Sequence, residues 1–155
     1  MAKFKQEFVN LDLKDLKTDA AKRHKDGWRY VQTLAVKVGD KTDLIYSYMK
    51  DGLLQNVKVC GLTKKDTVPS ITDDYIEAFV WENEIHDLWD IKFKGIAIDF
   101  KGKFYKVAKK APMTVVGPEV LERREKQAKL EAAMAAKAKK DAADKKPAKE
   151  ERKGE

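Results

Sequence analysis

Residues 28–61 read WRYVQTLAVKVGDKTDLIYSYMKDGLLQNVKVCG. The stretch is dense in β-branched and aromatic residues. Leu44, Tyr46 and Tyr48 alternate with Ile45, Ser47 and Met49, the two-residue period of a half-buried strand. Gly39-Asp40-Lys41-Thr42 suits a hairpin loop, and Asp51-Gly52 is a strong turn signal. Three consecutive strands of an antiparallel meander are expected. Trp28, Tyr30, Tyr46 and Tyr48 are expected to pack that sheet against a helix, as aromatics at strand period usually do. Cys60, at the end of the third strand, is expected to be a small buried hydrophobe.

Upstream, FKQEFVNL (4–11) suits a first strand. Leu13, Leu16, Ala20 and His24 then follow at steps of 3, 4 and 4, one face of a helix. Asp12 is placed to cap it and Gly27 to stop it. His24, beside Lys22 and Lys25, is expected to be half-exposed and inert.

Downstream, LTKKDTVPS (62–70) is expected to be a loop, and 72–89 has helical spacing with a break near Glu77. In GIAIDFKGKFYKVAKK (95–110), Ile96, Ile98 and Phe100 alternate and Lys101-Gly102 turns, so a second, smaller hairpin is expected. Gly117-Pro118 breaks the chain. From Glu119 on, Ala, Lys and Glu dominate, with 12 basic and 9 acidic residues. The expected organisation is an α+β domain over 1–117, with a mostly antiparallel sheet and two packed helices. A charged, helical to disordered tail over 118–155 completes it.

The totals limit the function. Against 33 Lys and Arg stand 26 Asp and Glu, giving a net charge of +7. That balance suits nucleic acid, a membrane surface or an acidic protein, and does not choose among them. A single cysteine closes no internal disulfide and holds no iron–sulfur cluster, which takes about four ligands. No stretch reaches the ~20 apolar residues of a membrane span, and the N-terminus lacks the apolar core of a secretory signal, so a cytoplasmic chain is expected. Glycine-rich phosphate loops, dinucleotide fingerprints and nucleophile elbows are not found.

The one stretch that invites chemistry is WENEIHDLWD (81–90). On a helix, Trp81, Ile85, Leu88 and Trp89 form one apolar stripe within about 100°. Glu82 and His86 lie on one flank, four residues apart, and Glu84 and Asp87 on the other. The polar groups straddle the stripe, whereas a metal needs ligands converging within ~2.0–2.6 Å of one ion. A zincin needs two His four apart, and the di-iron pattern needs Glu-x-x-His. Glu82 to His86 is one residue too long. Three readings remain for the carboxylates: a weak Glu82–His86 helix pair on an otherwise solvated face, bonds satisfied inside the domain, or contacts to a partner with a Trp as apolar anchor.

The segment from Val68 to Lys106, with the meander before it, resembles the 30-kDa subunit family of respiratory complex I, the NADH dehydrogenase. That family carries Glu-Arg-Glu-x-x-Asp-Leu-Phe-Gly-Ile-x-Phe. Here Glu82, Glu84, Asp87, Leu88, Ile91 and Phe93 match in place, after a similar Pro-Ser-Ile-Thr-Asp lead-in. Asn83 stands for the Arg and Asp90 for the Gly. The Gly-His-Pro segment that would follow is replaced by GIAIDFKGKFYKVAKKAPM. With His86 and the Gly-Lys-Phe-Tyr stretch, the chain is most similar to the equivalent small subunit of Ech-type energy-converting nickel–iron hydrogenases.

The resemblance implies a hydrophilic subunit with no catalytic, cofactor or metal site of its own. It would sit against the NiFe large subunit on the cytoplasmic face of a membrane complex that couples ferredoxin oxidation, proton reduction and ion translocation. The NiFe centre and iron–sulfur clusters would belong to the large and small partner subunits, with the membrane subunits contacted indirectly. Glu82, Glu84, His86, Asp87, Trp81 and Trp89 would form the partner interface. The alternatives are the equivalent subunit of a complex I-like NADH/quinone oxidoreductase, and a basic nucleic-acid-associated protein.

Overall fold

The computed structural model describes residues 5–115 and Lys126. The tail over 118–155 otherwise lies outside the described residues. Strand β1 (Lys5–Asn10) leads through a 3-10 turn (Leu13–Asp15) into helix α1 (Leu16–Lys25). The meander β2 (Arg29–Val38), β3 (Lys41–Lys50) and β4 (Leu53–Leu62) follows. Then come β5 (Thr67–Pro69), α2 (Ala78–Trp89), β6 (Lys92–Lys94) and a 3-10 turn at Pro112–Thr114.

The meander forms as its alternation requires. Tyr46 pairs with Thr33 on one side and Val57 on the other, and all three point inward. Asp51 (φ 48°) and Gly52 (φ 78°) both occupy the left-handed region, the pair of dihedrals that a tight β3–β4 hairpin demands. Strand order is β1-β4-β3-β2, with β1 parallel to β4. The sheet is therefore mixed: antiparallel through the meander and parallel at one edge.

One face of the sheet carries the core. Tyr46, Tyr48, Leu44, Val57 and Val59 share it with Leu16 and Ala20 of α1 and Ala78 and Ile85 of α2. Tyr30, Tyr48 and Tyr75 cluster with ring centroids 5.5–5.9 Å apart. Arg23 lies over the rings of Trp28 and Tyr48 while its Nε donates to Asp19 at 2.6 Å, so its charge is paired on one side and faces π-density on the other. The opposite face leaves Phe8, Leu34, Val36 and Val38 exposed.

Five local expectations are revised. Residues 95–110 form no second hairpin: after β6 the segment is turns and irregular backbone. Its alternation has nothing to bury against, since Ile98 and Phe100 are exposed. The 62–70 loop contains β5, which pairs in parallel with β6 through Val68 and Phe93. Helix α2 begins only at Ala78, after turns over 72–77, so the irregularity near Glu77 is its true start. Asp12 contributes a backbone carbonyl to Asp15 N but no side-chain cap. Cys60 is exposed, because at its position β4 points away from the core.

Candidate partner interface

Helix α2 follows two tight turns that begin where Tyr75 N bonds Ile71 O. It ends at Asp90, whose left-handed conformation (φ 56°) stops it where a glycine would be easiest. Between these limits each polar residue of the acidic stretch has its own environment.

Glu82 is fully buried. Its Oε1 accepts from Ile71 N at 2.9 Å and its Oε2 from Ser70 Oγ at 2.6 Å. Burial pushes its carboxyl up to about 7, against the lowering effect of those two bonds. Behind Ser70 the hydroxyls continue. Ser70 Oγ and Thr72 Oγ1 are 2.7 Å apart, Thr72 Oγ1 accepts from Ala97 N at 2.9 Å, and Gly95 O lies 3.4 Å away. With Glu82 ionised, Thr72 donates to Ser70 and Ser70 to Glu82. With Glu82 protonated, the row reverses and ends on Gly95 O. The same atoms satisfy both protonation states, so a carboxyl titrating near neutrality fits this buried place.

Asn83, fully buried, holds the segment that follows the helix. Its Nδ2 donates to Phe79 O at 2.7 Å and Ile98 O at 2.8 Å, and its Oδ1 accepts from Phe100 N at 2.9 Å. One turn on, Asp87 Oδ2 accepts from Tyr105 N at 2.8 Å. Glu84 Oε2 accepts from Tyr105 Oη at 2.8 Å. Residues 95–107 are thereby strapped to α2 by side-chain bonds, in place of the expected hairpin ladder.

The expected interface residues thus divide. Glu82 and Asp87 commit carboxylate oxygens to the domain itself. Glu84 and His86 are half-buried at the helix surface, and so are Trp81 and Trp89, which also pack against the core. Asn83, absent from the expected set, is the most fully bonded of them. Its place in the motif at the Arg position was the available signal. No group of three potential metal ligands occurs among the described residues.

No family model and no curated protein matches the sequence. Solved structures do. A chain of the membrane-bound sulfane sulfur reductase, an archaeal respiratory membrane complex, matches with a TM-score of 0.64 at 13% identity, covering 81% of each chain. The chain shares that fold. It also matches a trypsin-resistant fragment (1–134) of Nqo5 with a TM-score of 0.52 at 20% identity, over 59% of this chain and 80% of that one. At these identities the likeness establishes architecture. Among the described residues, no helix is long and apolar enough to cross a membrane.

Proposed function

We propose that this chain is a subunit of a respiratory membrane complex related to complex I, and within that group the non-redox subunit of an energy-converting nickel–iron hydrogenase. The observation that carries the reading is the match to a chain of a respiratory membrane complex over four-fifths of both chains. Nqo5, a complex I 30-kDa-like subunit, supports the same group. The finer assignment rests on the Glu82–Phe93 motif, on His86 and on the Gly-Lys-Phe-Tyr stretch at 102–105.

In this reading the chain scaffolds the catalytic large subunit. The outward side of α2 presents Glu84 and His86 for charge-assisted bonds, with Trp81 and Trp89 as anchors. Glu82 and Asp87 act one step back, by fixing the helix and its strap. The NiFe and iron–sulfur centres belong to partner subunits, since one exposed cysteine supplies no paired thiolates.

The test is affinity purification of the tagged chain from detergent-solubilised native membranes, with mass spectrometry of its companions and a hydrogen-evolution assay. Hydrogenase large and small subunits in stoichiometric amounts are expected. Quinone-reductase subunits would move the function to the complex I branch. RNA or ribosomal proteins without a redox partner would overturn the reading.

A further inference from the structure

Between Lys92 and Lys110 the chain holds seven lysines and one acid, Asp99. All seven lysines are exposed. The same strap exposes Ile98 (45%), Phe100 (42%) and Val107 (38%), with no arginine among them. Lys92, Lys101 and Lys110 converge with His86 and Val107 around one recess of about 460 Å³.

Asp87 lines that recess too. Its side chain is 1% exposed, and its Oδ1, 4.0 Å from His86 Nδ1, has no hydrogen-bond partner among the described residues. Gly102 stands beside it, where a Cβ would come 3.7 Å from His86 Cε1 and 3.8 Å from Asp87 Oδ1. The other acid of the recess, Asp90, is already held by Lys64 and Lys110. The recess therefore presents Lys92 and Lys101 at its rim, with no carboxylate holding either among the described residues, while Lys110 is committed to Asp90 and Asp87 Oδ1 is closed to solvent. That pattern calls for an anionic ligand.

We propose that this strap docks on an anionic phospholipid surface, with a headgroup phosphate at the recess rim beside Lys92 and Lys101. The phosphate meets Lys92 and Lys101, and Ile98, Phe100 and Val107 enter the acyl boundary. Exposed lysines interleaved with aliphatic and aromatic side chains are the composition of interfacial anchors. A protein partner fits less well, because lysine is depleted from protein–protein interfaces. Nucleic acid fits less well too: the strap offers no arginine for bidentate contacts, and its exposed apolar groups are partly aliphatic. The bonds from Asn83 and Asp87 pre-form the strap, so little ordering is lost on docking.

The inference does not depend on the subunit reading, and its test needs no partner. The purified 155-residue chain is sedimented with phosphatidylcholine vesicles, with and without phosphatidylglycerol. Binding to the anionic vesicles only is expected. The variant Lys92→Glu/Lys101→Glu should lose at least about tenfold in affinity, and Ile98→Ser/Val107→Ser should also weaken binding. Lys137→Glu/Lys139→Glu/Lys140→Glu, in the basic tail, should retain it. Circular dichroism confirms that each variant is folded. Equal binding to neutral vesicles, loss only in the tail variant, or displacement from vesicles by a short oligonucleotide would each overturn the proposal.

Discussion

Asn83 and Asp87 stand one helical turn apart on α2 and grip the same segment at two places. Asn83 takes Ile98 O and Phe100 N; Asp87 takes Tyr105 N. No strand ladder holds residues 95–107, so these bonds carry the segment. Asn83→Ala should leave two strap groups, Ile98 O and Phe100 N, without their partner, at a cost of about 2–4 kcal/mol. The local result should be opening of the strap. Trypsin should cut at Lys101 and Lys103 faster than in the parent chain, and the Phe100 amide should exchange faster. Unchanged cleavage and exchange would show that the strap is held by packing instead.

Glu82 should make stability depend on pH in an unusual direction. Its folded carboxyl titrates at about 7, above the ordinary 4.5. Between those values the folded state binds more protons than the unfolded one. The contribution is complete below about pH 4.5 and is lost as pH rises through about 7, a difference on the order of 3 kcal/mol. Urea unfolding at pH 5, 6, 7 and 8 should show stability falling over this window. Glu82→Gln keeps an oxygen for Ile71 N and a donor for Ser70, and should flatten the trend. A variant with the parent's slope would locate the titrating group elsewhere.

The fold was legible where local signals and burial agree. Alternation through Tyr46 and Tyr48 and the Asp51-Gly52 turn give the meander, because a buried face rewards their period. The parallel partner of β1 was not legible: all six of its residues are exposed, so no pattern marks which edge it joins. The 95–110 segment misled because alternation alone does not say where backbone bonds go. Its partners are side chains of Thr72, Asn83 and Asp87, remote in sequence. For the acidic stretch, a helical wheel put Glu82 and His86 together on one flank. The structure buries Glu82 over Ser70 and Ile71 while His86 keeps surface, because the chain before α2 folds back to cover one side of that flank.

Tyr46 tests how the core treats an unmet polar group. Its ring is fully buried between neighbours of the sheet and α2, and its hydroxyl has no hydrogen-bond partner among the described residues. Burial pushes the phenol well up, so it stays neutral. Tyr46→Phe removes a desolvated hydroxyl without opening much space, and should stabilise the domain by about 1 kcal/mol. Thermal unfolding at fixed pH reads this directly. A drop in melting temperature would mean that the hydroxyl has a partner after all, for instance an ordered water.

Asp90 stands where the resembling family has glycine, and it sets two effects against each other. Its φ of 56° is left-handed, which costs a non-glycine residue about 1 kcal/mol. Its carboxylate lies 3.3 Å from Lys64 Nζ and 3.4 Å from Lys110 Nζ. Both lysines are well exposed, so each pair is worth only about 0–1 kcal/mol and is screened by salt. Asp90→Gly relieves the strain, loses the pairs and gives the unfolded chain more freedom. It should be near neutral at low ionic strength and turn stabilising relative to the parent as salt rises. Asp90→Ala loses the pairs and keeps the strain, so it should lie about 1 kcal/mol below the glycine variant at every salt concentration. Chemical unfolding of the three proteins across a salt series separates the terms. If the alanine variant equals glycine, the left-handed turn carries no strain and Asp90 is retained for its charge alone. In that case Lys64→Ala and Lys110→Ala should destabilise the helix end as much as Asp90→Ala does.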